Sequence, residues 1–465
     1  MRLVEEGSIR TGRPALPFPP WATAARRVDG GSGRSAVPTL TLSHGRILRP
    51  APHAARPATT VPAGGAHLSW PLTEEERLLQ ATARDFAQRE LAPGAAERDE
   101  RETFDRAIFR RMGDLGLTAA PFAEDVGGAG FSYVGWSLVM EEVARADMSS
   151  AVCLSVHILS QYPVATWGSR EQRERWLRPM QSGEALGAFA LTEPHAGSDA
   201  AAIRTRATRV DEAGHELAAD APLDRVAGYR LEGTKIWISN APEADRYLVF
   251  ATLDPARGSK AITAFLVEKD TPGFRFGSLE HKMGIRSCPA AELVFDGAIV
   301  PVANRLGAEG RGYKIALSAL AEGRISIAAA CVGLAQSALE QAAAYVQQRR
   351  AFGKHLADQQ GLRFMIAEMA QQVEAARALT RTAAAAKDRG EPIAEMSSLA
   401  KWTASDAAMR VATDAVQLFG GSGYSRETGI ERLMRDAKGA QIYEGTNQIH
   451  RLIVADEVLR RHAPS

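Results

Sequence analysis

Cysteine is scarce in this chain: three residues in 465, Cys153, Cys288 and Cys331. They stand far apart and are odd in number, so they form no metal cluster and suit a reducing compartment. Each reads as a small buried hydrophobe. Charge of one sign is also missing. Fifty-six Lys and Arg face 55 Asp and Glu, for a net charge of +1. That balance gives no reason to expect nucleic acid or an anionic membrane as partner. No apolar run reads as long enough to span a bilayer, and no compact apolar core of a secretory signal is present. A full G-x-G-x-x-G fingerprint is absent as well. Gly127-Gly128-Ala129-Gly130 has no strand feeding it, and Gly421-x-Gly423 follows a helix and lacks a third glycine. There is no internal repeat. What remains is the composition of a soluble globular protein, 45% hydrophobic. The expected location is the cytoplasm, or the mitochondrial matrix in a eukaryotic cell.

The length allows two to four domains or one large layered unit. Residues 1–68 are rich in proline, arginine, serine and alanine and nearly free of acids after Glu6. They read as a disordered extension, or as sequence upstream of the true start. A transit peptide would share the arginine bias, but Glu5, Glu6 and the prolines oppose it. Helical pattern then fills 69–184. Thr73 with Glu76 makes a capping box, and Leu79, Ala83 and Phe86 keep helical spacing. Over 185–305 the pattern becomes short strands: Tyr229 to Leu231, Lys235 to Ser239, Tyr247 to Thr252, Ile262 to Glu268 and Glu292 to Phe295. Asp211 to Ala227 reads as a long loop. From 306 to 465 helices resume, with Met365, Ile366, Met369, Val373 and Ala376 on one face. The expected fold class is α+β, mostly α: a helical N-terminal domain, a central β-sandwich or barrel, and a C-terminal four-helix bundle.

Four stretches can carry chemistry. Thr192-Glu-Pro-His-Ala-Gly-Ser-Asp199 leaves a strand for a loop. Its hydroxyls and backbone N–H groups suit either a polar turn or a cradle for a heteroaromatic ring or phosphate. His195 reads as a solvent-facing loop residue. In Gly233-Thr-Lys-Ile-Trp-Ile-Ser-Asn240, strand alternation puts Trp237 and Ser239 on one face. An indole beside a hydroxyl suits a flat cofactor, although a strand tryptophan is more often core. Gln348-Arg-Arg-Ala-Phe-Gly-Lys354 ends a helix with cations, which either cap it or grip a pyrophosphate. In Gln441-Ile-Tyr-Glu-Gly-Thr-Asn-Gln448, a glutamate sits beside a glycine that lets the backbone turn. Thr446 can cap the next helix. Glu444 is there either a surface carboxylate or a group aimed at a ligand.

Together these stretches resemble the acyl-CoA dehydrogenase family, in Phe189–Asp199, Gly233–Asn240, Lys282-Met-Gly-Ile-Arg286, Arg349–Lys354, Leu433-Met-Arg-Asp-Ala-Lys438 and Gln441–Thr446. The motifs stand in the family's order and cover about 71–461. The resemblance implies FAD between the β-domain and the bundle, a homotetramer, an acyl-CoA substrate, and an electron-transferring flavoprotein as acceptor. It implies that Glu444 is the base that takes the α-proton while the β-hydrogen leaves as hydride to flavin N5, giving the trans-2-enoyl thioester of a short, medium or branched acyl group. Phe189, Leu191, Thr192, Trp237 and Ser239 would then contact the flavin ring. Arg349, Phe352 and Gln417 would bind the ADP half, Arg349 and Phe352 reaching a neighbouring subunit's FAD. Thr446 and Gln448 would also touch FAD. Ser198, at cofactor and substrate alike, and Arg324 would meet the CoA portion, with Tyr443 and Gly445 at the substrate. No metal is implied.

Some positions depart from the family's pattern. Ser239 replaces the commoner threonine and keeps the hydroxyl. Ala351 and Ala321 replace residues that are polar in some members. Where some members carry the base on the bundle helix, this chain has Gly323. Glu322 is adjacent, but one step turns it about 100° around the helix, so Glu444 is retained. Alternatives on the same scaffold are an acyl-CoA oxidase, a nitroalkane oxidase, a monooxygenase, or a non-catalytic DNA-associated relative.

Overall fold

The computed structural model describes residues 70–463, plus the backbone of Leu42–Ser43 and Arg46–Ile47, which pair antiparallel. The expectation for 1–68 otherwise lies outside the described residues.

Helix α1 (Glu74–Phe86) starts as its cap chemistry dictates. Thr73 Oγ1 accepts from Glu76 N at 3.1 Å, and Glu76 Oε2 accepts from Thr73 N at 2.9 Å. Each bond satisfies an N–H that the first turn leaves free. Leu79, Ala83 and Phe86 form its buried face. Helices α2 (Ala95–Arg101), α3 (Arg106–Asp114), α4 (Tyr133–Ala146) and α5 (Met148–Trp167) complete this helical region.

Eight strands follow: β1 (Gly187–Ala190), β2 (Arg206–Val210), β3 (Gly228–Ser239), β4 (Arg246–Thr252), β5 (Ile262–Glu268), β6 (Phe274–Leu279), β7 (Ala290–Pro301) and β8 (Arg305–Leu306). Their order is β8-β5-β4-β2-β3-β7-β6, with β1 parallel to β4. The β2–β4 seam is a single residue pair, Arg206 with Thr252. The sheet folds there into two facing leaves. Tyr229 of β3 meets Phe265 of β5 at 5.0 Å, and Tyr247 of β4 meets Phe274 of β6 at 4.9 Å. The two sequence-expected strands 229–231 and 235–239 are one continuous strand. The polar Glu232-Gly233-Thr234 between them still pairs with β7, and Glu232 also pairs with Arg206 of β2, so its polarity marks a partly exposed stretch of strand and not a turn.

Helices return as α6 (Gly312–Gln348), α7 (Gln360–Asp388), α8 (Ala394–Phe419), α9 (Ile430–Ala440) and α10 (Asn447–Arg461). Small residues let them pack closely. A Cβ on Gly333 of α6 would stand 2.0 Å from the Glu141 carbonyl of α4. Met369, Val373 and Ala376 of α7 are buried, as their spacing requires. One expectation needs correction: α6 is long and apolar enough to cross a bilayer by length and composition. It is apolar on all sides because other helices surround it, and 78% of its apolar window is buried within the fold. The sandwich is tied to the helices through Ile285, whose N–H donates to the buried Asp436 carboxylate of α9 at 2.5 Å. Gly284 lies so close to α9 that a Cβ would stand 2.3 Å from the Arg435 carbonyl.

Candidate active site

The connection between α9 and α10 is held from α8. Lys401 Nζ donates to the Gly445 carbonyl at 2.7 Å and to Asn447 Oδ1 at 3.2 Å. Asn447 Nδ2 donates to Ser405 Oγ at 2.9 Å and Asp406 Oδ1 at 2.8 Å. Thr446 caps α10, its Oγ1 accepting from Ile449 N at 3.4 Å. Within this frame Glu444 and Gly445 both take left-handed backbone, φ 52° and 91°. Such a conformation costs a non-glycine residue about 1–3 kcal/mol and persists only where the surroundings impose it. The turn lifts the Glu444 carboxylate off the helix and against α6.

There the side chain meets a notch. A Cβ on Gly323 would stand 2.4 Å from Glu444 Oε2. Both carboxylate oxygens are shielded from solvent and have no hydrogen-bond partner among the described residues, though the residue as a whole is only half-buried. Burial pushes its pKa up to about 7, and the nearby Lys401 and Arg324 cations keep it from rising further. Arg324 is itself buried, with its pKa lowered by burial, and its Nη1 donates to Ser398 Oγ at 3.3 Å. Burial brings Lys401 down to about 8. His450 is fully buried beside the Glu444-Gly445 backbone, and burial drives it down to about 3. The Tyr443 hydroxyl is buried without a hydrogen-bond partner among the described residues. Unpaired buried polar atoms are uncommon and ask for a ligand or a reason. Glu322 is drawn the other way: its Oε1 pairs with Lys387, while its Oε2 is buried with no hydrogen-bond partner among the described residues.

Lys401, His450 and the notch at Gly323 escaped the sequence reading. A signal for Lys401 was present: Ala404, Ser405 and Ala408, one and two turns on, are all buried. A lysine on such a face needs a polar target.

A second group lies at the end of β3. Lys235, with no exposed surface, forms an ion pair with Glu193 at 2.7 Å and donates to the Leu191 carbonyl at 3.1 Å. Glu193 also accepts from Arg204 N at 2.6 Å and Thr205 N at 2.9 Å. Ile236 N donates to the Thr192 carbonyl at 3.0 Å. These bonds clamp Leu191, buried, and Thr192, half-buried, to the strand, with Phe189 tilted against Phe250 at 5.0 Å. Strict alternation fails here. β3 bulges against β7 between Lys235 and Ile238, and Trp237 sits in the bulge at φ 58° with 56% of its surface exposed. Trp237 and half-buried Ser239 both stand outside the core while Ile238 is buried. Ser198 and His195 are exposed in the loop after Thr192. Replacing Lys235 by Met should strand a buried carboxylate and lower stability by about 3–5 kcal/mol. The paired change with Glu193→Gln should recover much of it. Urea unfolding measures both, and a loss in the single variant below about 1 kcal/mol would contradict the pairing.

Arg349, Phe352 and Gln417 form a third group. Arg349 closes α6, and a tight hairpin follows, Arg350–Ala351 with Lys354–His355. Phe352 sits at its tip with φ 50° and 95% exposure. Tyr345 stacks on Phe419 at 4.1 Å, which puts the ends of α6 and α8, with Arg349 and Gln417, together. Arg349 follows Arg324 by twenty-five positions, about 37 Å along α6. One copy of the chain therefore brings Glu444, Tyr443, Gly445 and Arg324 together and leaves Arg349 and Phe352 remote from them. Gln448 is exposed and Thr446 half-buried on α10's first turn.

The chain matches the family descriptions "Acyl-CoA dehydrogenase, N-terminal domain" over residues 73–184, "middle domain" over 188–298 and "C-terminal domain" over 310–459. It is 43% identical over 389 residues to an acyl-CoA dehydrogenase of Bacillus subtilis (strain 168), covering 83% of this chain and 99% of that one. It is 42% identical over 396 residues to a short-chain specific acyl-CoA dehydrogenase of Megasphaera elsdenii, covering 84% and 99%. Among solved structures, the butyryl-CoA dehydrogenase of Megasphaera elsdenii superposes with TM-score 0.80 at 42% identity, covering 84% of this chain and all of that one. A chain from a study of the electron transferring flavoprotein of Acidaminococcus fermentans does so with TM-score 0.79 at 42% identity, with the same coverage. A PigA complex with FAD superposes with TM-score 0.77 at 27% identity, covering 84% and 100%. The chain belongs to the acyl-CoA dehydrogenase family of oxidoreductases.

Proposed function

We propose that this protein dehydrogenates a short-chain acyl-CoA thioester between its α and β carbons, with Glu444 as the base. The observation that carries this reading is the Glu444 carboxylate: buried, unpartnered, and pushed up to about 7. A general base works best with a pKa near the operating pH. A carboxylate with no internal partner is free to take a proton from a ligand. The Glu444 N–H, in the same left-handed turn, can polarise a thioester carbonyl. The buried Arg324 and Lys401 cations favour the negative charge that develops as the α-proton leaves. The names of the relatives, short-chain specific and butyryl-CoA dehydrogenases, support a short acyl group.

The residues fit FAD. An exposed indole on strained backbone at Trp237, beside Ser239 and the clamped Thr192, offers a flat ring a face and hydrogen-bonding edges. Phe189, Leu191, Thr192, Trp237 and Ser239 would hold the isoalloxazine. Thr446 and Gln448 would also contact FAD, and Arg349, Phe352 and Gln417 would hold the ADP half. When bound, the flavin supplies a two-electron oxidant that accepts hydride and passes electrons to an electron-transferring flavoprotein. Ser198, Arg324, Tyr443 and Gly445 would meet the acyl-CoA. The proposed division remains 69–184, 185–305 and 306–465. The test is anaerobic mixing with butyryl-CoA and longer acyl-CoAs. Bleaching of the flavin absorbance, fastest with short chains, is expected, and bleaching by none of them would sink the reading.

The remote, exposed Phe352 favours a homotetramer in which this tip covers a neighbour's FAD. Phe352→Ala should therefore weaken flavin retention several-fold and leave the fold of each chain intact. Flavin-to-protein ratio after gel filtration measures it, and an unchanged ratio would refute the assignment.

A further inference from the structure

Glu444 stands in the turn Gln441–Asn447, whose two ends meet. Asn447 N donates to the Gln441 carbonyl at 3.1 Å, and the side chains of both residues converge on one acceptor. Gln441 Nε2 donates to Asp406 Oδ1 at 2.6 Å, and Asn447 Nδ2 donates to the same oxygen at 2.8 Å. The other oxygen, Oδ2, accepts from Trp402 Nε1 at 2.9 Å. Arg451 of α10 stands 3.7 Å from it, with its guanidinium over the Trp402 ring. We infer that Asp406 is a positioning residue of the proposed reaction: its carboxylate closes the neck of the turn and, through Asn447 and Lys401, fixes where the base stands.

This role rests on the reading of Glu444 as the base, and the route to it is one of hydrogen-bond polarity. An ionised carboxylate only accepts, so each amide must present its nitrogen to Asp406. That choice turns Asn447 Oδ1 toward Lys401 Nζ, at 3.2 Å. The same ammonium donates to the carbonyl of Gly445, next to Glu444, at 2.7 Å. Were the Asn447 amide to turn over, its hydrogens would face a buried cation, and that cation would lose an acceptor. Glu444 and Gly445 both hold left-handed backbone, which persists only while the surroundings impose it. Asp406 thus grips both ends of the turn and, by way of Asn447 and Lys401, its tip. The residue is half-buried. None of Gln441, Asn447, Trp402 and Arg451 is among the residues that would meet flavin or thioester, so its effect on the reaction passes through the turn.

The test uses the full-length flavin-loaded protein and butyryl-CoA. Asp406→Leu keeps a side chain of similar shape without acceptors. Asp406→Asn keeps one oxygen that can serve both neck amides and removes the charge. Flavin reduction at saturating butyryl-CoA should slow about 10²-fold in the Leu variant, the loss expected when a reacting group moves by about 1 Å. The concentration giving half the maximal rate should stay within about threefold, since ground-state binding is untouched. The Asn variant should recover most of the rate. Amide hydrogen exchange over residues 441–448, without substrate, should be faster in the Leu variant and near wild type in the Asn variant. Unchanged exchange in the Leu variant, faster exchange with an undiminished rate, or Asn and Leu variants that are equally slow, the mark of a charge effect, would each overturn the proposal. If Asp406→Leu does not fold, Gln441→Met opens the neck from one side only. It should slow the reaction several-fold with the same exchange signature, and a wild-type rate there would overturn the role equally. Should butyryl-CoA fail to reduce the wild-type flavin, the assigned reaction falls, and the exchange result still decides whether Asp406 holds the turn.

Discussion

Glu444→Gln is expected to give a folded, yellow protein whose flavin is reduced by butyryl-CoA about 10²- to 10⁴-fold more slowly, the usual contribution of a positioned base. The amide has the shape of the carboxylate, so it fills the same notch against Gly323. It lacks the lone-pair basicity to take a proton. Rapid-mixing absorbance under anaerobic conditions measures the rate, and wild-type bleaching in this variant would remove Glu444 from the mechanism. In the wild-type protein the base must be ionised to act. The rate should therefore rise as pH increases through about 7 and level off above it. The Gln variant should show no such limb.

The same substitution should raise stability at alkaline pH. Burial lifts the Glu444 pKa from 4.5 to about 7 in the folded chain. A group raised on folding contributes stability below its unfolded value, and that contribution is lost as pH rises through the folded value. The unfolded chain deprotonates first, from about 4.5 upward, and the loss is complete above about 7. At 1.36 kcal/mol per unit, discounted for a half-buried residue, the Gln variant gains about 1–3 kcal/mol near pH 8 and nothing near pH 4. Asp436, pushed up to about 7 by burial while the Ile285 N–H holds it back, titrates in the same window in both proteins and cancels from the difference.

Local chemistry was legible in the sequence wherever a single turn decides the structure. The Thr73–Glu76 box, the buried face of α7 and the cap at Thr446 follow from residues three or four apart. The turn at Glu444-Gly445 was legible for the same reason. Features set by two distant segments were not. The bulge that exposes Trp237 depends on how β3 meets β7, and no residue in Gly233–Asn240 announces a register shift. Glu232-Gly233-Thr234 looked like a turn because polarity reads alike on an exposed stretch of strand and in a loop. Lys401 escaped because it serves a turn formed elsewhere in the chain.

Gly323→Ala is the sharper test of how the site is built. The added Cβ would stand 2.4 Å from Glu444 Oε2 and 3.1 Å from Oε1, closer than van der Waals contact permits. The backbone of α6 cannot retreat, because Glu322, Arg324 and Ile325 beside it are buried. The end of the glutamate side chain must move instead. A displacement of about 1 Å costs about 10²-fold in a reaction that depends on alignment. Stability should change little, because alanine favours helix over glycine by about 1 kcal/mol and the displaced carboxylate had no partner to lose. Turnover should therefore fall about 10²-fold while the thermal midpoint holds or rises. Full turnover in Gly323→Ala would show that the carboxylate acts from another position than the notch, and a collapse of stability would show that the glycine serves packing and not the base.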